Sequence, residues 1–370
     1  MKILHIINAL EVGGAERLLV EALPIMKERG HEVEVLLLQS TGDTFEEQLL
    51  EQGIGIEALN KKGGRYSPLN ILGMAGRLKD YDVVHTHLFP SQYWAAIAHG
   101  MKSMKNVLVT TEHSTFNTRA RHRWSSWLDK RIYSLYDGVI CISEATAEFM
   151  KQRCPKKVDI CVIENGIRIP KAEELRIKKS REELIERVPN DAFLLLQVAR
   201  FTEQKDQACV IRAMKRLSES VHVAFAGYGV MQEQCEALAK ELGVEHRTHF
   251  LGMRDDIADL WNVANLGVMS SNWEGFGLAA VEGMAHHRAV LASNVKGLAD
   301  VVSFPELLFT KGDDAELAGK ILHFMSSPAE LSNWNARCAE RAKLYSIDHM
   351  VDLYLAFYKR MKERKINKPV

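Results

Sequence analysis

The sequence lacks a long hydrophobic run, a paired-cysteine motif and an excess of charge of either sign. No apolar segment of the 370-residue chain reaches the roughly 18–20 residues of a membrane-spanning helix. Residues 1–7 enter a strand pattern directly instead of forming a secretory signal. The 48 basic and 48 acidic residues balance each other, which argues against a general nucleic-acid-binding protein. These absences predict a cytoplasmic globular protein.

Cysteines are few and scattered along the chain. Their spacing fits neither the C-x-x-C pairs of zinc sites nor a disulfide framework. We therefore expect the six cysteines to be buried apolar side chains. They are Cys141, Cys154, Cys161, Cys209, Cys235 and Cys338.

Acidic pairs and glycine-rich loops do not point to a metal or dinucleotide site. The adjacent pairs Asp255-Asp256 and Asp313-Asp314 are typical of solvated helix starts. Neither half of the chain has G-x-G-x-x-G after its first strand, which disfavours an NAD-linked oxidoreductase. We expect no metal and no cofactor, and side chains with a helix dipole would neutralise ligand charge where other enzymes use Mg²⁺.

Short β-rich runs alternate with helical stretches along the chain, which is typical of a parallel α/β fold. A polar segment at 168–190 separates two series of strands, and we place a linker there. We predict one Rossmann-like domain over 1–168 and a second over 169–345, with a helix at 346–370 crossing back onto the first. The predicted strands are 3–7, 33–38, 54–59, 83–86, 107–110, 139–142, 160–163, 193–198, 221–226, 248–251, 266–269, 289–292 and 307–309.

The most informative segment runs from Trp273 to Glu282 and reads W-E-G-F-G-L-A-A-V-E. It joins a predicted strand to a predicted helix, with Glu274 in the turn and Glu282 in the helix. Gly275 and Gly277 lack side chains, so the backbone N–H groups between them can approach a polar ligand beside the positive end of the helix dipole. Carboxylates that accept from neighbouring hydroxyls suit a sugar. The turn therefore predicts a site for sugar hydroxyls and phosphate.

Two further turns carry candidate ligand-binding groups. Arg200 and Lys205 follow the first strand of the second half, where a guanidinium fork and an ammonium can neutralise a diphosphate. Gly13 and Gly14 follow the first strand of the chain and precede a helix. For them, a phosphate-facing turn and a plain tight turn are both open.

Histidines stand at several predicted strand ends. For His85 and His87 a structural, hydrogen-bonded role is the expected one. His113 ends a strand between Glu112 and Ser114, at the edge where open α/β folds bind ligands. It is therefore a candidate site residue, with the structural role as its alternative.

A basic segment with tryptophans is a candidate for docking on a membrane. Cations beside interfacial aromatics suit an anionic membrane surface or a lipid phosphate. The alternative is an amphipathic helix packed on the sheet, and both roles can hold together. The residues are Arg119, Arg121, Arg123, Lys130 and Arg131, with Trp124, Trp127 and Leu128.

In this order, the motifs resemble those of retaining glycosyltransferases of family 4, which have the GT-B architecture of two facing Rossmann-like domains with an interdomain cleft. The segment from Glu274 to Glu282 matches the E-x7-E signature of that family. Further matches extend over nearly the whole chain. They are Gly13-Gly14-Ala15-Glu16, His85-Thr86-His87, Ile142-Ser143-Glu144, Ile163-Glu164-Asn165-Gly166, Arg200 with Lys205, and Gly252 before Asp256.

The resemblance implies a role for each matched site residue. Arg200 and Lys205 would hold the donor diphosphate, and Glu282 the ribose of a nucleotide sugar. His113 would reach the transferred sugar from the other domain, and Glu274 would hold it. The remaining donor-binding residues are Gly13 and Gly14 near the diphosphate or acceptor, Gly275, Phe276, Gly277 and Leu278 around the sugar, and Gly252, Met253 and Arg254 beside the base.

The activity implied by the resemblance is that of a metal-independent hexosyltransferase. It would move a sugar from a nucleotide diphosphate sugar, expected to be a UDP-sugar, to a glycan or lipid-linked saccharide, with retention of configuration. The setting would be bacterial surface polysaccharide biosynthesis at the inner face of the membrane, with no nucleic-acid partner. A sugar-nucleotide epimerase and a catalytically silent binding homologue are the alternatives.

Two loops depart from the family pattern. Ala199 and Phe201 replace the glycine and leucine that often flank the arginine, and Val230 replaces a proline after Gly227-Tyr228-Gly229. Both departures affect the expected shape of the phosphate loops more than their charge.

Overall fold

The computed structural model describes residues 1–11, 13–60, 64–102, 104–113 and 123–367, and over 123–126 it describes the backbone alone. The chain divides into two compact units. The first unit comprises Met1–Arg168 and Ile347–Val370, and the second comprises Ile169–Ser346.

The first unit is built on a seven-stranded parallel sheet. Its strands are β1 Lys2–Ile7, β2 Glu32–Leu37, β3 Gly55–Ala58, β4 Val83–His87, β5 Val107–Glu112, β6 Gly138–Cys141 and β7 Asp159–Val162. Its helices are α1 Gly14–Glu28, α2 Thr44–Glu51, α3 Asn70–Ala75, α4 Ser91–Met101, α5 Arg123–Tyr133, α6 Glu144–Lys151 and, at the end of the chain, α15 Ile347–Ile366. The strand order is β3-β2-β1-β4-β5-β6-β7, so the direction of winding reverses between β1 and β4.

The second unit has a six-stranded parallel sheet in the order β10-β9-β8-β11-β12-β13. The strands are β8 Phe193–Val198, β9 Val221–Ala226, β10 Thr248–Phe250, β11 Leu266–Met269, β12 Val290–Ser293 and β13 Leu308–Phe309. The helices are α7 Arg181–Leu184, α8 Gln207–Met214, α9 Gln232–Glu241, α10 Ile257–Val263, α11 Leu278–Ala285, α12 Leu298–Val302, α13 Asp314–Ser326 and α14 Pro328–Ala342. Winding reverses here between β8 and β11.

Strands covered by helices on both faces read as nearly continuous apolar runs. In the first unit, Ile3 and Ile7 of β1 pack into one buried cluster with α1 and α15. Leu4 and Ile6 of the same strand pack into a second cluster with α4. β1 is therefore buried on both sides from Ile3 to Ile7, and Lys2 at its amino end is its one partly exposed residue.

Helix α15 packs closely against the sheet of the first unit because two glycines leave room for it. A Cβ at Gly138 would lie 2.5 Å from Cζ of Phe357, and a Cβ at Gly166 would lie 2.6 Å from the Cα of Ile347. Tyr354 and Tyr358 of the helix are buried in the core of this unit. The last helix of the chain is thus an integral layer of the first unit.

All thirteen predicted strands are present, with ends that differ from the predictions by at most two residues, and the prediction of two parallel α/β sheets is confirmed. Residues from 169 onward belong to the second unit, so nearly all of the segment 168–190, predicted as a linker, is part of that unit. Arg181 anchors this segment by donating to the carbonyl oxygens of Val263 and Ala192 at 2.8 and 2.6 Å. A polar composition alone did not reveal this packing.

The cysteine prediction is confirmed as well. All six cysteines are free thiols, five of them buried and Cys161 partly so. Burial raises the pKa of Cys154 to about 12, so that thiol stays protonated. Across the described ranges, no helix combines the length and apolarity required to cross a bilayer.

Candidate functional site

The candidate site of the second unit lies where β8 and β11, two adjacent strands, end. Ligands of open α/β folds bind at the carboxyl ends of strands where the winding direction reverses. The loop after β8 carries Arg200 and Lys205, and the loop after β11 carries Glu274. The topology alone therefore brings the three predicted residues to one edge of one sheet.

Lys205 and Glu274 form an ion pair in which Nζ of the lysine donates to Oε2 of the glutamate. Both side chains are largely buried, at 22% and 12% exposed. Ser271 Oγ donates to the same oxygen at 3.2 Å, and Gln204 Nε2 donates to Oε1 at 3.4 Å. Three donors thus fix the carboxylate, although the sequence motifs assigned the lysine and the glutamate to different parts of a donor.

The loops after β8 and β11 are joined by further hydrogen bonds. The backbone N–H of Asn272 donates to the carbonyl oxygen of Gln204 at 2.7 Å, and its side-chain amide donates to that of Glu203 at 2.8 Å. Gln204 also donates to the carbonyl oxygen of Trp273 at 3.0 Å. Sequence reasoning missed Gln204, Ser271 and Asn272, since single polar residues in loops carry no spacing signal.

Arg200 differs from Lys205 in its surroundings. Its side chain is exposed, and within the ranges that the structure describes its guanidinium has no acidic partner. Its carbonyl oxygen accepts from Gln207 Nε2 at 3.1 Å, so the backbone is held while the side chain is available. A fixed backbone that carries an available guanidinium suits the recognition of an anionic ligand.

The glycines of Gly227-Tyr228-Gly229 allow their loop to pack on the arginine loop. A Cβ at Gly227 would collide with the carbonyl oxygen of Ala199, and one at Gly229 with that of Phe201. The N–H of Phe201 donates to the carbonyl oxygen of Tyr228 at 3.0 Å. The two departures from the family pattern at Ala199 and Phe201 therefore fit this packing, with the ring of Phe201 buried.

The turn between β11 and α11 presents backbone more than side chains. Phe276 is buried and packs edge-on against Tyr345, with ring centroids 5.3 Å apart. Gly277 precedes α11 with φ +102°, a conformation that glycine adopts at little steric cost. Leu278 is the first residue of the helix. The N–H of Ala280 donates to the carbonyl oxygen of Gly277 at 2.9 Å. Those of Leu278 and Ala279 precede the first intrahelical acceptor, so they can bind an anion or a hydroxyl.

Gly297 packs closely against the backbone of this turn. It was not identified from the sequence. It precedes α12 with φ +82°. A Cβ there would lie 2.5 Å from the carbonyl oxygen of Glu274 and 2.9 Å from that of Gly275. No spacing signal could have indicated it, because the contact joins segments that are more than twenty residues apart.

The other predicted donor residues of the second unit lie around this edge. Glu282 lies in the second turn of α11 and is partly buried. The N–H of Gly227 donates to the carbonyl oxygen of Gly252 at 2.8 Å, which joins the loops after β9 and β10. Met253 is exposed. The guanidinium of Arg254 is engaged by the carboxylate of Asp256 at 2.7 and 2.5 Å, so its backbone remains the part that can meet a ligand.

In the first unit, Gly13 and Gly14 lie at the start of α1, directly after the carboxyl end of β1. Gly13 is the N-cap residue in an extended conformation. A Cβ there would collide with the carboxylate of Glu16, which shows that this side chain folds back over the cap. The extended Gly13 and the exposed Gly14 are compatible with both a phosphate-facing turn and a plain tight turn.

Four histidines lie close together in the first unit. His5 Nδ1 and His87 Nε2 are 3.1 Å apart, and His87 Nδ1 and His113 Nε2 are 3.4 Å apart. His85 bonds through its two nitrogens to Tyr358 at 2.6 Å and to Thr111 at 2.7 Å. His5, His85 and His87 are fully buried, and His113 is partly exposed.

Among the described residues of the first unit, three of these histidines could hold a metal ion. His5, His85 and His87 each offer a ring nitrogen, and these atoms lie within 4.8 Å of one another. In the structure those rings already have hydrogen-bond partners in Tyr358, Thr111 and each other. An ion would therefore have to replace existing hydrogen bonds.

Acid is expected to destabilise the first unit through these histidines. Burial lowers the pKa of His5 to about 3 and that of His113 to about 4, both below the usual value near 6.5. The unfolded chain therefore binds more protons as the pH falls below about 6.5, and stability decreases by up to about 1.4 kcal/mol per pH unit for each histidine. Urea unfolding at pH 7.5 and at pH 5.5 measures this slope. A His5→Gln variant should show a shallower slope, and equal slopes would contradict the assignment.

The basic tryptophan segment is described only in part. Arg119 and Arg121 lie outside the described residues, and for Arg123 and Trp124 only the backbone is described. In α5, Leu128 packs on the core of the first unit. Trp127 is 62% exposed, and the guanidinium of Arg131 lies 5.2 Å from its ring centroid. The helix thus packs on one side and leaves an aromatic residue and the cations Lys130 and Arg131 exposed on the other.

The two parallel sheets and their strand orders, with the structural match below, define the protein as a member of the GT-B class, as predicted. The crystal structure of Anabaena HepE in complex with UDP and glucose matches this chain with a TM-score of 0.84. The match has 21% sequence identity and covers 97% of this chain and 100% of that chain.

Sequence comparison then identifies the family. The model for Glycosyltransferase Family 4 matches residues 12–169, and the model for Glycosyl transferases group 1 matches residues 179–344. The chain is an enzyme of the glycosyltransferase family 4 type. The role of the E-x7-E signature stays a prediction.

Two curated relatives illustrate the range of the family. The lipopolysaccharide core biosynthesis glycosyltransferase LpsD of Rhizobium meliloti (strain 1021) is 25% identical over 366 residues, 97% of this chain and 98% of that protein. The UDP-Gal:alpha-D-GlcNAc-diphosphoundecaprenol alpha-1,3-galactosyltransferase of Escherichia coli is 25% identical over 271 residues, 66% of this chain and 69% of that protein.

Proposed function

We propose that the protein is a retaining, metal-independent hexosyltransferase that uses a UDP-sugar and acts in surface polysaccharide biosynthesis. The observation that carries the proposal is the arrangement after β8 and β11. There, the loop after β8 carries the available guanidinium of Arg200 together with Lys205, and the ion pair of Lys205 with Glu274 joins that loop to the turn before α11. The similarity to a UDP-bound structure and to a galactosyltransferase named for UDP-galactose supports this donor.

The diphosphate of the donor would be bound by the two cations. Arg200 offers a planar fork for two phosphate oxygens. An ammonium has three N–H donors, and Lys205 uses one of them on Glu274, which leaves the others for phosphate. As the bond from sugar to phosphate breaks, the charge that develops on the leaving diphosphate is stabilised by groups already in place. Neutralisation of the diphosphate by these two side chains would need no metal ion.

The transferred sugar would be held by Glu274 and the amides of Gly275 to Gly277. A carboxylate has about four lone-pair positions, and Lys205, Ser271 and Gln204 occupy three of them. The remaining capacity would accept from a sugar hydroxyl. Because its other partners hold the carboxylate still, the sugar would be oriented rather than attacked, and the acceptor hydroxyl would react on the face of the departing phosphate.

The first unit would hold the acceptor, as the resemblance to the family implies. Tyr66 is 65% exposed, and its ring lies 6.3 Å from that of Phe89, centroid to centroid. Phe89 lies beyond the carboxyl end of β4, and its carbonyl oxygen accepts from Asn8 at 2.7 Å. This aromatic pair at the carboxyl edge suits the apolar face of a saccharide or the lipid part of a lipid-linked one.

A transfer assay tests the proposal directly. Purified protein is incubated with a panel of UDP-sugars and of lipid-linked or free saccharide acceptors, with and without EDTA. We expect acceptor-dependent release of UDP, an unchanged rate in EDTA, and an NMR spectrum of the product that shows the anomeric configuration of the donor. A new UDP-sugar formed without an acceptor would instead support the epimerase, and binding without turnover would support the silent homologue.

Glu282→Ala is expected to weaken donor binding about tenfold or more. Loss of a hydrogen bond to a charged group removes about 1.5–3 kcal/mol, and about 1.4 kcal/mol corresponds to a factor of ten. Calorimetric titration with UDP measures the change. Glu330→Ala, at a surface position of α14, serves as the control with unchanged affinity. An unaltered Kd for the Glu282 variant would contradict its assignment to the ribose.

Trp127→Ala is expected to reduce binding to anionic vesicles at least threefold, because the exposed ring and its neighbouring Arg131 suit a membrane interface. Flotation with vesicles of phosphatidylglycerol and of phosphatidylcholine measures the bound fraction. Leu344→Ala in the second unit is the control, since Leu344 is equally exposed at 62%. Equal flotation on neutral and anionic vesicles would contradict the prediction that this segment docks on an anionic membrane.

A further inference from the structure

We propose that His5, His87 and His113 form a hydrogen-bonded chain that fixes His113 as its Nδ1–H tautomer. His113 would then act as a hydrogen-bond donor at that nitrogen and not as an acceptor. The identity of its ligand, a sugar hydroxyl oxygen, rests on the proposed function, whereas the tautomer itself does not.

The chain crosses three adjacent strands of the first unit. His5 lies in β1, His87 ends β4, and His113 follows β5. The ring nitrogens meet in sequence, with His5 Nδ1 at 3.1 Å from His87 Nε2 and His87 Nδ1 at 3.4 Å from His113 Nε2. Each of these four ring nitrogens therefore faces a nitrogen of another imidazole ring.

Neutral imidazole carries one N–H and one acceptor nitrogen, so the chain has only two consistent arrangements of protons. In the first, His113 Nε2–H donates to His87, His87 donates to His5, and His5 Nε2 carries the last proton. In the second, His5 Nδ1–H donates to His87, His87 Nδ1–H donates to His113, and His113 carries its proton on Nδ1. Choosing the tautomer of one ring chooses all three.

The inner end of the chain decides between them. His5 is fully buried, and within the described ranges its Nε2 has no hydrogen-bond partner. The first arrangement would place an N–H donor there without an acceptor, and unpaired donors in protein interiors are rarer than unpaired acceptors. The second arrangement leaves only a lone pair of His5 Nε2 without a hydrogen-bond partner. The geometry therefore favours a proton on Nδ1 of His113.

The neighbouring histidine stands outside the chain. Both ring nitrogens of His85 face hydroxyls, those of Tyr358 and Thr111, and a hydroxyl can donate or accept as required. His85 thus imposes no proton order on His5 or His87. Burial lowers the pKa of His5, His87 and His113, which keeps all three rings neutral near pH 7 and the two-arrangement description valid.

The consequence concerns chemistry at His113. With its Nε2 occupied as an acceptor from His87, the ring cannot take a proton from a ligand at Nδ1 while it stays neutral. It can donate to a ligand oxygen, and so orient a sugar. His87 and His5 are positioning residues that act through His113, because neither needs to touch the ligand.

Nitrogen-15 NMR of histidine-labelled protein without any donor tests the proposal. Long-range proton–nitrogen spectra separate the two tautomers, and a His113→Gln variant identifies the resonance of His113. We expect the proton of His113 on Nδ1 at pH 7.5. A proton on Nε2 would overturn the proposal. Since no sugar transfer is measured, failure of the proposed function and failure of the tautomer assignment remain distinguishable.

A pair of variants at His87 separates a positioning role from a purely structural one. His87→Gln retains an amide N–H that can donate to His113 Nε2, whereas His87→Leu cannot donate. We expect the Nδ1–H signature of His113 to persist in the glutamine variant and to be lost or mixed in the leucine variant. The same tautomer in both variants would overturn the proposal, as would a metal ion bound stoichiometrically to the histidines of the purified wild type. Should the leucine variant fail to fold, the wild-type spectrum and the glutamine variant still decide.

Discussion

Arg200→Ala is expected to lower kcat about 100- to 1,000-fold, the scale of removing one preorganised group that stabilises transition-state charge. The guanidinium of Arg200 has no acidic partner within the described residues and is exposed, so its removal breaks no ion pair of the folded protein. The loss should therefore fall on transfer and not on folding. Steady-state rates with saturating donor and acceptor measure the first, and thermal unfolding measures the second.

Arg212→Ala provides the matched control for Arg200. Arg212 is an arginine of the same unit on the neighbouring helix α8, 39% exposed, with Asp314 at 3.5 Å. It should keep near-normal turnover, because exposed ion pairs contribute only about 0–1 kcal/mol. Turnover of Arg200→Ala within threefold of the wild type would refute the assignment of this arginine to the donor diphosphate.

Gly297→Ala is expected to cause the second large effect, on stability and on donor binding together. An added Cβ at this positive-φ position would lie 2.5 Å from the carbonyl oxygen of Glu274, so the backbone of the turn before α11 has to shift. A strained backbone position of this kind costs about 1–3 kcal/mol, and displacement of Glu274 adds a loss of affinity for the donor. Urea unfolding and calorimetric titration with a UDP-sugar measure the two effects.

Gly312→Ala isolates the steric part of that effect. Gly312 has nearly the same backbone angle, φ +77° against +82°, yet a Cβ there would meet no atom within 4 Å. Both variants share the conformational penalty of a side chain at positive φ, and only Gly297→Ala adds the collision. We expect Gly312→Ala to bind the donor normally. Equal behaviour of the two variants would show that the turn does not depend on Gly297.

The positions of the strands, and the sheet edge at which the charged site residues lie, could be predicted from the sequence for a physical reason. Buried parallel strands read as short apolar runs, and such runs located β8 and β11 to the residue. Arg200, Lys205 and Glu274 follow those strands, so their common edge could be inferred from order alone. Their pairing could not, because it depends on the path of two loops.

The residues that sequence reasoning missed share one property. Gln204, Ser271 and Gly297 act through contacts with a second loop, and none belongs to a periodic or charged pattern. His5 is a similar case. It lies inside an apolar strand, and only the pairing of His5 with His85 in the sheet brings it to the other histidines. Contacts of this kind are set by tertiary structure, which no local window contains.

The packing of α15 against Gly138 and Gly166 has a practical consequence for dissecting the enzyme. A gene fragment that stops at codon 168 would encode all seven strands of the first unit but omit the layer that covers Ile140 and Ile163. The apolar face of the sheet that this helix covers would be exposed to solvent and would promote aggregation. An autonomous first unit would have to be spliced by joining residue 168 to residue 347. The two positions are already close, because the N–H of Ile347 donates to the carbonyl oxygen of Ile167 at 2.8 Å.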